Sequence, residues 1–241
     1  MMTVSNRVDF FQGLKVGLPI GIGYIPIAVA FGLLAKSLAI PNIVGVLMSL
    51  VIYAGASQFI GVNLLVVGAS FGDIVITTLL LNLRHFLMSA TLSQRVETNI
   101  SKPWRALLAF GVTDETFAVS VLQKQDKLSR YFVLGLNAIA FAAWNFGTWL
   151  GIFFATGVPE IIKTSMGIAL YAMFIGLLIP HVKKSKPVLV VAMLAVIINM
   201  LMYWSAAVLG VSNGFSIIVA TIVSAAVGAG LYEAGEGEVE R

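Results

Sequence analysis

Asp114 and Glu115 stand side by side inside an apolar stretch of the chain, residues 105–122. A charge at mid-bilayer costs ~2.5–3.5 kcal/mol on insertion scales, so acids kept at that depth mark substrate or ion pathways. Adjacent residues lie ~100° apart around a helix, so the two carboxylates can face different neighbours. One could bind a substrate ammonium group while the other carries a coupling proton. The plainer reading makes this stretch a short re-entrant hairpin with both acids among the headgroups.

A cation is available to them. Asn82, Arg84 and His85 lie within LLLNLRHFLMSATL. If that helix begins at Asp73, Arg84 sits ~16 Å along it, about halfway through the hydrocarbon. An arginine there needs a partner, and Asp114 or Glu115 is the natural one; such a pair could hold the fold together or open during transport. The alternative ends the helix near His85 and lets Arg84 snorkel to the headgroups. His85 reads as a structural residue before a relay. The other histidine, His181, lies beside a basic loop, so no metal site is expected.

Three further stretches supply candidate contacts. In VGLPIGIGYIPIAVAFG, Gly17, Pro19, Gly21, Gly23 and Pro26 crowd together. Proline removes a backbone donor and glycine weakens a helix. This pattern predicts a break around Gly21–Pro26 whose following half-helix aims its positive end at a substrate carboxylate, with Gly21, Gly23, Tyr24 and Pro26 as contacts. The alternative is a proline kink with tight helix packing. Tyr53, Ser57, Gln58 and Asn63 form a second polar set, and Trp144 and Asn145 a third. They line a site for an amino-acid-sized ligand or, more blandly, make interhelical hydrogen bonds beside the small residues Ala54, Gly55 and Ala56. No phosphate-binding loop, GxSxG elbow or HExxH helix is present, so the chain reads as neither an ATPase nor an enzyme, with no cofactor.

The elements that must position these residues follow from composition. Of 241 residues 59% are hydrophobic and 11% charged, and the mean hydropathy is +0.97. So thin a polar coat excludes a soluble surface and makes lipid the solvent. The net charge of +4 lies in short loops, as expected of headgroup flanks and not of a nucleic-acid binder. There is no cysteine, hence no disulfide. The opening MMTVSNRVDFFQGLK reads as amphipathic and not as a cleavable signal.

Eight apolar segments are expected, near 15–37, 43–68, 73–93, 105–122, 131–156, 161–181, 187–209 and 214–232, with Glu233–Arg241 as a frayed tail. Laid against each other, GYIPIAVA faces GVTDETFA, YAGASQFIGVNLL faces FAAWNFGTWLGIF, and GDIVITTLLLNL faces PEIIKTSMGIAL, at a near-constant offset of about 88 residues. Three crossings per repeat would invert the second copy. The expected fold is therefore all-α: a polytopic membrane helix bundle with a 3+3 inverted repeat, broken helices and two C-terminal helices. It forms one transmembrane domain over 1–241, with repeat one about 15–95, repeat two about 104–182 and the extra helices about 187–232. With the N-terminus inside and eight crossings, nine Lys and Arg fall on inner loops and five on outer ones, which favours both termini inside. The basic 95–105 loop then falls on the wrong side, unless one segment is re-entrant.

GYIPIAVAFG (23–32), YAGASQF (53–59), NLRHFLMS (82–89) and TDETFA (113–118) occur in this order. In them the chain resembles the AzlC family of branched-chain amino-acid exporters, over essentially its whole length. The resemblance implies a secondary transporter in a prokaryotic cytoplasmic membrane that exports leucine, isoleucine, valine or similar apolar amino acids, driven by an ion gradient. It also implies a small membrane partner of the AzlD type. The rival readings are a channel or permease-like subunit, and an accessory subunit with no transport activity of its own.

Overall fold

The structure, a computed structural model, describes residues 4–154, 185–209 and 213–232 and scattered positions between 157 and 183. The expected segment 161–181, the second member of the third repeat pair and the tail from Glu233 lie largely or wholly outside the described residues. The chain divides into two units, Met1–Gly68 with Leu81–Leu170, and Ala69–Leu80 with Tyr171–Arg241. Among the described residues all regular elements are helical. Among the described residues four helices are long and apolar enough to cross a membrane: Val4–Ser37, Phe71–Arg95, Arg130–Phe154 and Lys186–Trp204.

In the first unit, α1 (Val4–Ser37) and α7 (Arg130–Phe154) run parallel and in contact along their length. The register is read from their glycines. A Cβ added at Gly13 would overlap the Phe132 carbonyl, one at Gly21 would meet Ala143 at 3.4 Å, and one at Gly32 would lie 2.9 Å from Gly151. Small residues at four-residue spacing on both helices let the backbones touch, which is how apolar helices associate in lipid.

The expected break at Gly21–Pro26 is absent, because α1 is one helix of 34 residues with Pro19 and Pro26 inside it. The reason is a division of faces. Gly13, Gly17 and Gly21 are buried toward α7, whereas Pro19, Gly23 and Pro26 lie on the exposed side. Each proline costs a hydrogen bond on the outer face, and the contact with α7 keeps the helix in one piece.

The breaks fall elsewhere. The second apolar segment folds as α2 (Asn42–Leu47), a π-helical stretch Met48–Ile52, a turn at Tyr53–Ala54 and α3 (Gly55–Val66). Gln58 Nε2 donates to Ser49 Oγ at 2.8 Å across that turn, so the two arms are antiparallel. Gly45 lies beside Ile152, near the C-terminal end of α7, and Gly55 beside Trp144, near its middle. This segment therefore enters from the C-terminal end of α7, turns at mid-depth and returns.

The helix α4 (Phe71–Arg95) passes from the second unit into the first. Its last residues meet the start of α7: Leu128 N donates to Arg95 O at 2.7 Å and Glu97 N to Leu128 O at 3.1 Å. Whatever lies between residues 97 and 128 thus leaves and returns at one end of the bundle. That stretch holds α5 (Lys102–Phe110), a turn at 111–113 and α6 (Asp114–Val121). Trp104 stacks edge-on against Tyr131 and Phe110 against Phe141, so α5 climbs to the middle of α7. Arg95 then holds the carbonyls of Gln123 and Gln125, back at the starting end. Leu92, Val96, Leu108, Val112, Leu128, Phe132, Val133 and Leu136 form the apolar core of this end.

Two segments expected to cross are thus hairpins dipping in from opposite ends. The first two repeat pairings do not survive this. They set the unbroken α1 against a hairpin and a hairpin against the unbroken α7. What recurs is a helix followed by a hairpin, once as α1 with 42–66 and once as α4 with 102–121. The wrong-sided basic loop is also resolved. Arg7, Lys15, Arg95, Lys102, Arg105, Lys124, Lys127 and Arg130 all belong to the end where α1 and α7 begin, and Lys36 to the other.

In the second unit α8 (Lys186–Leu209) packs on α9 (Asn213–Leu231), with Gly228 against Val191.

The chain has no cysteine, so single cysteines report its topology directly. In membrane vesicles, Thr98→Cys and Gln125→Cys will react with an impermeant maleimide from one side, and Ile43→Cys and Val67→Cys from the other. Labelling of positions 98 and 125 from opposite sides would restore the eight-crossing topology.

Candidate functional site

The two hairpin tips meet beside the middle of α1 and α7. The Tyr53 ring lies 6.0 Å from Phe110 of the other hairpin and 4.9 Å from Phe141 of α7. Half-way through a bilayer, an interrupted helix must have its free backbone groups satisfied by protein or water. At the second tip Thr113 does this. Its side chain accepts from Thr116 N, and Thr116 Oγ1 accepts from Thr113 N at 2.8 Å, a reciprocal cap on α6. Threonine is a favoured N-cap residue, but Thr116 stands where the capping-box signature has Glu or Gln.

Asp114 and Glu115 occupy the first turn of α6, where the positive end of the helix dipole favours carboxylates. They face different neighbours. Asp114 Oδ2 pairs with Arg84 Nη1 at 2.6 Å, the two side chains being 35% and 39% exposed. Glu115 accepts a short hydrogen bond from the Tyr24 hydroxyl, which also lies 2.7 Å from Thr113 Oγ1. Thus α6 is tied to α4 through one acid and to α1 through the other. Arg84 Nε is buried and has no partner among the described residues, so the guanidinium retains a spare donor. His85 is half-buried next to this pair.

A second polar group braces the first hairpin. Trp144 Nε1 donates to Gln58 Oε1 at 3.0 Å, Gln58 Nε2 to Ser49 Oγ, and Ser49 shares a hydrogen with Thr148 at 2.7 Å. Ser57 Oγ donates to Asn82 Oδ1 of α4 at 2.9 Å. The Tyr24 and Trp144 rings, 5.6 Å apart, join the two polar groups. Toward the basic end a cavity of about 160 Å³ lies between α4 and α5, lined among others by Ser89, Ser93, Arg105, Leu108 and Val112.

Of the candidates read from the sequence, the structure brings together Tyr24, Ser57, Gln58, Arg84, Asp114, Glu115 and Trp144, with His85 alongside. It does not bring in Gly21, which packs on α7, nor Gly23 and Pro26, which lie on the outer face. Asn145 donates to Phe141 O of its own helix and Asn63 to Phe59 O of its own. Ser49, Thr148 and Thr113 were missed. Ser49 and Thr148 are lone hydroxyls in apolar runs and carry no pattern, and Thr113 lacks the Glu or Gln at the third position that would mark it as a capping box.

The fold and site define a polytopic helical membrane protein with an ionisable centre at mid-depth. The family model described as AzlC protein matches residues 19–158, and the chain belongs to the AzlC family. YgaZ, an inner membrane protein of Escherichia coli (strain K12), is 33% identical over 78% of this chain and 80% of its own length. An uncharacterized membrane protein of Archaeoglobus fulgidus is 34% identical over 76% and 80%. The branched-chain amino acid transport protein AzlC of Bacillus subtilis is 25% identical over 73% and 69%. No solved structure matches. Membership supports a membrane protein with a transport-related role.

Removing either member of the Arg84–Asp114 pair leaves an uncompensated charge at depth. Arg84→Gln and Asp114→Asn will each lower the thermal stability of the purified protein. The double variant will lose less than the sum, with a coupling of roughly 1 kcal/mol given the partial exposure. Additive losses would show that the pair does not interact.

Proposed function

We propose that this chain is a secondary transporter that exports branched-chain or other hydrophobic amino acids, coupled to a proton or ion gradient. The observation that carries the reading is the convergence of two re-entrant tips on Tyr24, Glu115 and the Arg84–Asp114 pair. An amino acid presents an ammonium, a carboxylate and an apolar side chain. Glu115 suits the first, the spare donor of Arg84 the second, and the aromatic wall of Phe110, Phe141 and Trp144 the third. Asp114, released from Arg84 by the substrate carboxylate, is then free to take up the coupling ion. Ser57 and Gln58 act through their networks to hold the first tip in place. The helix-break subsite at Gly21, Gly23 and Pro26 has no part in this reading, since α1 is continuous. The name of the B. subtilis relative supports the substrate class.

The basic end faces the cytoplasm in this proposal. Among the described residues of the first unit, eight Lys and Arg at one end against Lys36 at the other is the asymmetry that supports this orientation. The location is then a prokaryotic inner membrane, as for the E. coli relative. A small AzlD-type membrane subunit completes the transporter.

Cells loaded with dipeptides will release labelled valine, leucine or methionine faster when they express this chain with a candidate small subunit. An uncoupler will abolish the difference. Efflux equal to that of empty cells, with the protein folded in the membrane, would leave an accessory role as the reading.

A further inference from the structure

We infer that Tyr53 is a substrate-binding residue whose hydroxyl oxygen accepts a hydrogen bond from the ammonium group of the amino acid held at Glu115. The inference rests on the amino-acid reading above and adds to it a residue on the other hairpin.

Tyr53 is 4% exposed, yet its hydroxyl has no hydrogen-bond partner among the described residues. Buried polar groups are nearly always satisfied, and an orphan in a native fold asks for an explanation. The group is not a bystander to packing. Phe141 and Phe110 clamp its ring from two different elements. Its backbone is left-handed, at φ 46° and ψ 43°, where the π-helical stretch ends. A bulky residue held in that region, next to a π turn, is the kind of outlier that clusters at ligand sites. The fold thus maintains an uncommon backbone to hold an unpaired hydroxyl at mid-depth.

Its surroundings select the ligand group. Tyr53 packs on Phe110, five residues before Glu115 on the other tip, and Tyr24 bonds to Glu115 itself, so all three belong to the place where the tips meet. The Tyr24 hydroxyl is already committed to Thr113 and Glu115. A substrate carboxylate at Tyr53 would face the Glu115 charge. An ammonium group has three donors and no acceptor, and needs oxygen atoms on several sides. The Glu115 carboxylate, the Tyr53 hydroxyl and the hydroxyl oxygens of Tyr24 and Thr113 supply them, with aromatic rings behind that favour a cation. Among the described residues no three His, Cys, Asp or Glu converge as a metal site would require.

The test uses the purified full-length chain together with its candidate small subunit, and isothermal titration with leucine, isoamylamine (leucine without its carboxylate) and isocaproate (leucine without its ammonium). Tyr53→Phe removes one oxygen and keeps the ring. It will weaken leucine and isoamylamine binding at least about tenfold, the loss expected of a hydrogen bond to a charged group. Isocaproate binding and the unfolding temperature will be unchanged or slightly raised. Leucine and isoamylamine affinities equal to wild type overturn the Tyr53 assignment and leave the amino-acid reading standing. Wild-type protein that binds none of the three overturns both. If Tyr53→Phe unfolds early, the titrations are run below its unfolding temperature, with isocaproate binding as the sign that the site is formed. Leucine and isoamylamine affinities lowered while isocaproate affinity holds support the assignment, and all three lowered alike overturns it.

Discussion

Two apolar helices in lipid gain nothing from leaving solvent, because the solvent is as apolar as they are. What holds α1 to α7 is contact between backbones. An added Cβ at Gly135 would overlap Phe10 O, and one at Gly147 would come within 2.7 Å of Ile25 O. The remainder of the first unit depends on this contact. It brings Tyr24 of α1 level with Trp144 of α7, and α7 offers the surface on which both hairpins lie. Gly45 and Gly55 of the first rest on Ile152 and Trp144, and Gly111 of the second rests on Asn137. An interrupted helix survives at membrane depth only when surrounded by protein. Without the paired helices neither tip has a wall.

The tips explain why polar chemistry gathers at the centre. Ending a helix at mid-depth frees backbone donors, and the α6 start answers them with the Thr113 cap and two acids. Those acids must in turn be compensated in a medium that punishes charge. Arg84 arrives from α4 and Tyr24 from α1, so one short helix of eight residues is linked to both spans. Structural cost and proposed use are here the same groups. The ion pair that neutralises Asp114 is also the only described place in this unit where both signs of charge sit at mid-depth.

Much of this centre was legible, because charge is conspicuous in an apolar chain. Arg84, Asp114 and Glu115 stand out by type alone, and Ser57, Gln58 and Trp144 by their setting among small residues. The geometry of the backbone was not. Gly17 to Pro26 is the densest run of helix breakers, yet the prolines and Gly23 face outward while Gly17 and Gly21 serve packing, so α1 is continuous. The real interruptions, at YAG and GVT, contain one glycine each. Hydropathy cannot separate a segment that crosses from one that enters and returns, since both are apolar throughout. The misplaced basic loop at 95–105 was the one trace the hairpins left in the sequence.

The hairpins' opposite entry points give the centre a mechanical asymmetry. The first comes in from the end where α7 finishes, the second from the basic end, and their tips touch through Tyr53 and Phe110. No helix of either hairpin passes beyond that contact. Withdrawing the first tip would uncover Tyr24 and Glu115 toward one end of the bundle, and withdrawing the second would uncover Tyr24 toward the other while carrying Glu115 with it. The two motions are therefore unequal. One opens a site with its acid in place, and the other removes the acid from the phenol and from Arg84 together. In the proposed transporter, a centre built this way would bind an ammonium group differently in its two open forms, and that difference is what a ligand must supply to shift a conformational equilibrium.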